Sequence, residues 1–484
     1  MTDGSTCLNC RRLIQENDRL RLDNDRLRQD NTDLKAALDE AHRAGKRQAA
    51  PFSKGPPKKR PKRPGRRPGR LYGKKAYRRP PDRVDRVVDA PLPECCPDPE
   101  CGGAIEELEV KLQFQEEIPP VKPIITRFDV HVGRCLRCSR RVQGRAPEQT
   151  SDALGAAAAQ LGPRAVALAA ELNKGMGIPF GKVSALFSVA FTLTVTRAGL
   201  CLALHRLAKA ARPTYQHAVL LVRQSKVVSP DESGWKVGGE LWWLWVFATA
   251  HVTVYAILPG RGFEQAASVL GSDYSGTLER DGWAPYRKFK QANHQSCFNH
   301  LKRRCHEMLE TAKRGAARIP HAVRRILDDA LKPRERRQSL SPRGLAIAVG
   351  KLSARVDRLL DWKPKDDANR KLLKHLRNEK GALFTFLRKP GVEATNWRAE
   401  QAIRPAVVTR KVCGGNRSER GAETQSVLAT ILRTSRQNNF DPLAVFEELL
   451  RIKSPEPASQ FMQLSPQPDD RQSQRRPSGQ LRGP

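Results

Sequence analysis

A seven-residue leucine repeat marks the N-terminal part of the chain, at Leu13, Leu20, Leu27 and Leu34. If leucine occupies the d position of each heptad, the a positions are asparagines, at Asn17, Asn24 and Asn31. This pattern predicts a short, parallel, two-stranded coiled coil over residues 7–45, because paired asparagines fix register and partner number at a cost in stability. A single charged, exposed helix is the alternative. The coiled coil would make the protein a homodimer or part of a higher assembly.

Residues 160–212 carry a helical pattern of apolar positions. Residues 178–187 form one predicted helix, and a second begins near Val195 after a tight turn. Two short helices joined by a tight turn are typical of a helix-turn-helix element that binds DNA. An ordinary helical hairpin fits the same pattern.

Beyond Arg212-Pro213 the pattern changes from helical to extended. In chain order the predicted elements are strands at 226–232, 240–250 and 251–258, a helix at 263–271 and a fourth strand at 275–281. This order predicts the opening of a ribonuclease-H-like α/β catalytic core, which we place at residues 213–452. A helical insertion rich in Arg and Lys interrupts the core at about residues 309–388. The tail, 453–484, is rich in Pro, Gln, Ser and Arg and is predicted to be disordered.

The 484 residues include 87 Lys and Arg against 51 Asp and Glu, a formal net charge of +36. Such an excess repels itself unless the partner is polyanionic. Nucleic acid fits, because each neutralised phosphate releases condensed counterions. An anionic membrane fits less well, since we find no apolar run of the about 20 residues that span a bilayer. The N-terminus is polar, unlike a signal peptide, so we expect a multidomain, cytoplasmic, nucleoid-associated protein that binds double-stranded DNA.

Residues 46–83 form a basic linker, rich in Pro and Gly, that cannot build a packed core. Its densest run has no acid and carries Lys58, Lys59, Arg60, Lys62, Arg63, Arg66, Arg67 and Arg70. Extended arms of this kind insert Arg into a DNA minor groove or contact phosphates. They supply affinity more than sequence choice. A solvated tether is the alternative.

Five of the 11 cysteines fall within residues 84–148, at Cys95, Cys96, Cys101, Cys135 and Cys138. In a reducing compartment such a cluster indicates a metal rather than disulfides. Cys135 and Cys138 form one zinc knuckle, whereas four residues separate Cys96 from Cys101, and Cys95 competes with Cys96. With strands predicted over 112–132, the module resembles a zinc ribbon that binds Zn²⁺ through Cys96, Cys101, Cys135 and Cys138. Buried structural cysteines are the alternative.

Acidic residues end two of the predicted strands, Asp231 the first and Asp281 the fourth. They would be neighbours if the two strands pair. A third acid, Glu400, shares one face of a predicted helix with Asn396 and Arg404, at i, i+4 and i+8. Phosphodiester cleavage uses two Mg²⁺ or Mn²⁺ ions about 3.5–4 Å apart, held by a few carboxylates from different elements.

Polar and basic groups accompany Glu400: Asn396, Arg404, Arg410, Lys411 and the Gly-rich segment 413–417. They predict an edge that faces DNA phosphates, and a surface helix with salt bridges is the alternative. Cys297 and His300, one helical turn apart, could bind a metal with Cys305 and His306, although a packed core pair is favoured.

Four ordered segments carry a resemblance to a known family: 231–235, 281–286, 297–303 and 396–405. Together with the order of modules, they resemble the insertion sequence 66 family of bacterial DDE transposases over residues 7–452. The resemblance implies that Asp231, Asp281 and Glu400 are the catalytic, metal-binding triad. The widened Cys96–Cys101 knuckle departs from the family pattern.

The resemblance also implies a reaction: hydrolytic nicking at the 3′ ends of an element, then attack of each freed 3′-hydroxyl on target DNA. Accessory proteins of the same element would be further partners. Two other functions stay open, a DNA-binding regulator whose catalysis has decayed and a ribonuclease-H-like nuclease or resolvase without strand transfer. The presence of all three acids disfavours the first, and the long basic front half disfavours the second.

Overall fold

The computed structural model describes residues 8–46, 80–154, 160–312, 315–336, 340–452 and 456–466. Contacts divide the chain into two units. The larger lies within Met1–Ser53, Ile125–Ser188 and Leu193–Pro484, and the smaller within Lys54–Ile124 and Val189–Thr192. The basic run at 58–70 and residues 467–484 lie outside the described residues.

The N-terminal helix α1 comprises Leu8–Lys46. Its heptad leucines are between 62% and 69% exposed, at Leu13, Leu20, Leu27 and Leu34. A helix in water gains most of its stability by covering such an apolar stripe. The predicted helix is confirmed by the structure. Its pairing with a second copy, which would cover the exposed leucines, stays a prediction.

Replacing the a-position residues Asn17, Asn24 and Asn31 by Ile is expected to tighten association several-fold and to loosen the choice of partner number, because Ile buries apolar surface there. Sedimentation of the full-length protein over a range of concentrations measures this. The matched control adds three isoleucines on the outer face instead, at Asp18, Asp25 and Thr32. A chain that stays monomeric at high concentration with Ile at all three a positions would rule out the coiled coil.

The region before the helical part has less regular structure than expected. Residues 102–131 contain neither helix nor strand, so the predicted strands over 112–132 are wrong except at Val132. Ile124 and Ile125 are 95% and 90% exposed. An alternating pattern forms a strand only where a partner satisfies its backbone groups. In the larger unit, the short strands β1 (Val132–Arg134) and β2 (Arg141–Gln143) pair antiparallel.

Four helices lie between β2 and the central sheet in the described chain: α2 (Pro163–Ala170), α3 (Phe180–Phe191), α4 (Arg197–Ala210) and α5 (Arg212–Gln224). A π-helical turn, Glu171–Gly175, continues α2. Thr196 caps α4, because its side chain accepts a hydrogen bond from the Gly199 amide at 3.0 Å. The two helices predicted for the DNA-binding element are thus α3 and α4, and their role stays a prediction.

A mixed five-stranded sheet forms the centre of the larger unit. Its strands are β3 (Val227–Val237), β4 (Glu240–Ala248), β5 (Thr253–Leu258), β6 (Thr277–Arg280) and β7 (Asn293–Ser296). Their order is β5-β4-β3-β6-β7. β3, β4 and β5 are antiparallel, whereas β6 and β7 run parallel to β3. Gly238 and Gly239, at φ +60° and +94°, make the tight turn from β3 to β4 that other residues would strain.

Helices cover both faces of this sheet. Alternation along β4 sends Trp245 and Phe247 to one face and Leu244 and Val246 to the other. The first pair packs with α5 and with α6 (Phe263–Leu270). The second pair packs with α12 (Trp397–Cys413) and α13 (Glu419–Gln437). The result is a three-layer α/β arrangement.

The predicted insertion is helical and has its own hydrophobic core. Its helices are α7 (Phe298–Thr311), α8 (Arg318–Glu335), α9 (Pro342–Leu360), α10 (Asp367–Glu379) and α11 (Thr385–Arg388). Among the described residues, no helix combines the length and apolarity needed to cross a lipid bilayer.

Two further helices follow α13: α14 (Pro442–Arg451) and α15 (Ser459–Met462). The prediction of a disordered tail is wrong for residues 456–466. Phe461 is fully buried, its carbonyl lies 3.1 Å from the His217 ring, and the Ala458 amide donates to the Thr214 hydroxyl at 3.0 Å. The buried Phe461 and Ala458, together with these two hydrogen bonds, hold this segment in place despite its polar composition.

Candidate active site

Asp231 lies within β3, and Asp281 directly follows β6. These strands pair in parallel, with Val228 beside Leu278. Asp231 lies three residues after Val228 in β3, and Asp281 lies three residues after Leu278, directly beyond the end of β6. Because neighbouring strands lie about 4.8 Å apart, this pairing places the two acids at the same level of the sheet. Asp231 is not at a strand end as predicted, since β3 continues to Val237.

Glu400 is held above β3 by the first turn of α12. Asn396 caps this helix, and its carbonyl accepts the Glu400 amide at 3.1 Å. On the inner face of the helix, Ala399 and Ile403 pack against Trp235 and Val246 of the sheet. The Glu400 side chain stays 35% exposed.

The electrostatics of Asp231 report that the three acids converge. Burial, and after it the charges of Glu232, Asp281 and Glu400, raise the pKa of Asp231 from 3.8 to about 7. The Glu232 amide, which donates to Asp231 Oδ1 at 2.9 Å, acts in the opposite direction. The structure therefore brings together all three acids that the sequence singled out.

Buried charges fix the loop that carries Asp281. The Asp281 carboxylate accepts a hydrogen bond from the Trp283 amide at 2.9 Å. The fully buried Arg280 guanidinium donates to the Asp281 carbonyl at 2.8 Å and to Glu379 of α10 at 2.5 Å. Arg287 donates to the same Glu379 carboxylate at 3.0 Å. Removing either partner of such a buried pair is strongly destabilising, because it leaves an uncompensated charge.

Gly282 is required in this loop by close packing. A Cβ atom at Gly282 would lie 2.1 Å from Cε1 of His375, a side chain of α10. The insertion therefore presses directly on the loop after Asp281, so the position of that acid depends on the insertion.

A fourth acid, Glu232, was missed by the sequence analysis. It is buried next to Asp231 and accepts hydrogen bonds from Tyr286 and from Arg261, the latter at 2.9 Å. The Arg261 guanidinium lies over the rings of Trp243 and Trp283, 4.6 and 3.9 Å from their centres. Burial raises the pKa of Glu232, and the contacts with Tyr286 and Arg261 oppose that shift. The adjacent acids Asp231 and Glu232, in the segment 231–235, are the sequence feature that could have identified this residue.

The DNA-contacting residues predicted around Glu400 have different surroundings. The prediction for Asn396 is wrong, because its side chain is completely buried at the helix start. Arg410 donates to the Ser233 hydroxyl at 3.0 Å and to the Gly234 carbonyl, so its guanidinium binds β3 inside the protein. Arg404 and Lys411 are exposed on α12.

The Gly-rich segment 413–417 was also predicted to face phosphate, and it is instead joined to β3. The Asn416 amide donates to the Lys236 carbonyl at 2.8 Å, and the Trp235 ring nitrogen donates to the Asn416 side chain at 2.8 Å. A Cβ at Gly415 would lie 1.9 Å from the Lys236 carbonyl oxygen. This close approach, rather than a phosphate, accounts for glycine at position 415.

The cysteines of residues 84–148 lie on two tight turns, one in each unit. In the larger unit, the Cys135 amide donates to the Arg140 carbonyl at 2.9 Å, and the Ser139 amide donates to the Cys135 carbonyl at 2.9 Å. The amides of Cys138 and Arg137 lower the pKa of the Cys135 thiol. In the smaller unit, the Cys96 amide donates to the Gly103 carbonyl at 2.9 Å. Tight turns whose amides favour a thiolate suit zinc ligands.

The raised pKa of Asp231 predicts a pH-dependent stability. A carboxyl whose pKa is higher in the folded state binds a proton more tightly there, so raising the pH from about 4 to about 7 lowers the stability of the metal-free protein. Asp231→Asn should remove this decline and gain on the order of 1–3 kcal/mol at neutral pH. Chemical unfolding in chelator at several pH values measures it, with exposed Asp273→Asn as control. An unchanged pH dependence in Asp231→Asn would count against the acidic cluster.

Comparison with known proteins places this site within a recognised domain. Over 249 residues the chain is 25% identical to the uncharacterized protein y4qI of Sinorhizobium fredii, an alignment that covers 46% of each chain. The chain thus spans about half the length of this curated relative. The model of the family described as "Transposase IS66 family" matches residues 158–424. That match takes in more than half of the chain and includes Asp231, Asp281 and Glu400, and the chain therefore belongs to the IS66 family of transposases.

Proposed function

We propose that the chain is a metal-dependent DDE transposase that nicks the 3′ ends of its element and joins each freed 3′-hydroxyl to target DNA. The observation that carries this proposal is the convergence of Asp231 from β3, Asp281 from the end of β6 and Glu400 from α12. The strand order β5-β4-β3-β6-β7, with helices on both faces, supports a ribonuclease-H-like core over residues 213–452.

The acidic cluster fits divalent cations. Its donors are carboxylate oxygens, the ligands that hard ions such as Mg²⁺ or Mn²⁺ prefer. Arg261 binds Glu232 at 2.8 Å, and no described ion pair joins a Lys or Arg to Asp231, Asp281 or Glu400. A bound pair of ions would stabilise the entering and leaving oxygens of the phosphodiester.

The residues of the chain have separate tasks in this proposal. Asp231, Asp281 and Glu400 would hold the two ions and so fix the scissile phosphate relative to the attacking water and later the 3′-hydroxyl. Rigid placement of reacting groups is itself a large part of catalysis. Glu379, which binds Arg280 and Arg287, keeps the Asp281 loop in place. The reaction requires no covalent protein–DNA intermediate, and therefore no Ser or Tyr nucleophile.

DNA binding would draw on several parts of the chain. The net charge of +36 supports a double-stranded DNA partner, both element ends and target. The basic linker 46–83, helices α3 and α4, and exposed Arg404 and Lys411 are the proposed contacts. Dimerisation through α1 would bring two element ends together, and accessory proteins of the same element would complete the assembly.

We also propose that Cys96, Cys101, Cys135 and Cys138 bind one structural Zn²⁺. Removing a ligand should release that zinc and lower the stability of the module, because ligand binding supplies much of the folding energy of such a small domain. Metal analysis of full-length Cys138→Ser should therefore find one zinc fewer per chain than in the wild type. Cys95→Ser is the matched control and should keep it. Equal zinc in all three proteins would refute this ligand set.

The proposed activity is tested on DNA that flanks the reading frame and bears its short inverted repeats. With Mg²⁺ the protein should nick these ends at defined 3′ positions, and a chelator should stop nicking without releasing the DNA. Binding without nicking at any Mg²⁺ or Mn²⁺ concentration would favour the decayed regulator. Nicking without joining would favour the nuclease or resolvase.

A further inference from the structure

A second set of metal-ligand side chains adjoins the acidic cluster: Cys297, His300 and Glu400. Their sulfur, ring nitrogen and carboxylate oxygen atoms all lie within 4.8 Å of one another. His300 Nδ1 is 3.7 Å from Glu400 Oε1. The other two partners that the sequence allowed lie elsewhere, since Cys305 is buried in the insertion core and His306 faces Glu310 at 3.5 Å.

Sheet register and two helix starts bring these side chains together. β6 and β7 are parallel, with Arg280 beside Ser296, so Cys297 follows β7 at the level where Asp281 follows β6. Cys297 is the N-cap of α7, which places His300 in the first turn. Glu400 lies in the first turn of α12, whose N-cap is Asn396.

The sulfur of Cys297 is a hydrogen-bond acceptor at the start of a helix. Its Sγ accepts the Asn396 amide at 3.5 Å, and it sits at the N-terminus of a 14-residue helix. Hydrogen bonds from amides to sulfur commonly support metal-bound cysteine.

His300 provides a second observation that points to a ligand at this place. The Nδ1 atom of His300 is buried and has no hydrogen-bond partner among the described residues. The side-chain amide of the fully buried Asn396 likewise has both polar atoms unpartnered within the described chain. Buried polar atoms normally find partners, because leaving them unpaired is costly.

We propose that Cys297, His300 and Glu400 form a site for a zinc-class divalent ion. Zn²⁺ takes thiolate, imidazole and carboxylate ligands, with nitrogen and oxygen at about 2.0–2.2 Å. A tetrahedral arrangement at those lengths separates the nitrogen and oxygen by about 3.4 Å, close to the 3.7 Å between His300 and Glu400. Three protein ligands leave a fourth position open.

The site shares Glu400 with the acidic cluster. An ion bound by Cys297 and His300 would hold one Glu400 oxygen on the α7 side, so zinc and magnesium would compete for this carboxylate. This consequence rests on the proposed function, whereas binding of the ion does not.

Zinc content measures the proposal directly. Full-length protein is stripped with chelator, reloaded with Zn²⁺, freed of excess ion and analysed for zinc per chain in the absence of DNA. Cys297→Ala and His300→Gln should each bind one zinc fewer than the wild type. Cys305→Ala, which removes another buried cysteine from the same region, should lose none. With Co²⁺ in place of Zn²⁺, Cys297→Ala should also lose part of the thiolate-to-cobalt absorption.

The outcomes are distinct from those of the catalytic proposal, because no DNA or cleavage is involved. Equal zinc in the wild type, Cys297→Ala and His300→Gln overturns the site. If Cys297→Ala does not fold, the partly exposed His300→Gln decides the question. A Cys305→Ala variant that loses the same zinc as Cys297→Ala would also overturn the assignment.

Discussion

Glu400→Gln should bind element ends with the affinity and salt dependence of the wild type, yet cut and join them at least about a thousandfold more slowly, a barrier increase of about 4 kcal/mol. The substitution keeps the size of the side chain and removes one negative charge. With one carboxylate lost, the ions between Asp231 and Asp281 would be held poorly. Because Glu400 is partly exposed in the first turn of α12, the fold should survive.

The matched control is Glu419→Gln, which removes an exposed glutamate from the first turn of α13. It makes the same chemical change, also in the first turn of a helix but outside the acidic cluster, so the variant should cut and join normally. Gel-based cleavage and joining assays with labelled ends, alongside binding at several salt concentrations, measure both variants. If Glu400→Gln reacts at the wild-type rate in Mg²⁺, then Glu400 is not a metal ligand.

Neutralising the basic arm, the densest basic run of the linker 46–83, should weaken DNA binding and leave the cleavage chemistry intact. Changing Lys58, Lys59, Arg60, Lys62 and Arg63 to Gln is expected to weaken binding to all DNA sequences by about a hundredfold or more at low salt. Each lost phosphate contact flattens the slope of log affinity against log salt by about 0.9, so the slope should fall by about 2 to 4. Cleavage at saturating DNA should stay close to that of the wild type.

A charge-conserving variant provides the control for the arm. Exchanging Lys for Arg and Arg for Lys at the same five positions keeps every charge and should preserve the salt slope. Fluorescence anisotropy over a salt series compares the three proteins. If the Gln variant keeps the wild-type slope, the arm is a solvated tether and the phosphate contacts lie elsewhere.

The sequence was most informative where local pattern and chemistry agreed. Alternation and turn residues predicted the strands around Asp231 and Asp281, and the structure confirms the pairing that makes these acids neighbours. Periodicity predicted α1 and the helical insertion. These features depend on short-range pattern, which a single chain displays directly.

Other features depend on contacts that no local pattern encodes. The burial of Asn396 follows from the meeting of α7 and α12, and Arg410 donates hydrogen bonds to the Ser233 hydroxyl and the Gly234 carbonyl of β3. The alternating stretch at 112–132 lacks a partner strand, so it stays irregular. Glu400 beside Cys297 and His300 likewise reflects a long-range packing of two helix starts, about 100 positions apart in the chain, which local spacing does not reveal.

The central claim is that one acidic site both cuts the element ends and joins them to new DNA. Its most direct test supplies wild-type protein and Mg²⁺ with pre-nicked element ends that carry a free 3′-hydroxyl, together with a supercoiled target plasmid. We expect products in which the 3′ end of the element is covalently joined to target DNA. Blocking that hydroxyl with a 3′-deoxy end should abolish these products. If a protein that still nicks intact ends in Mg²⁺ fails to join pre-nicked ends, then this site does not carry out strand transfer.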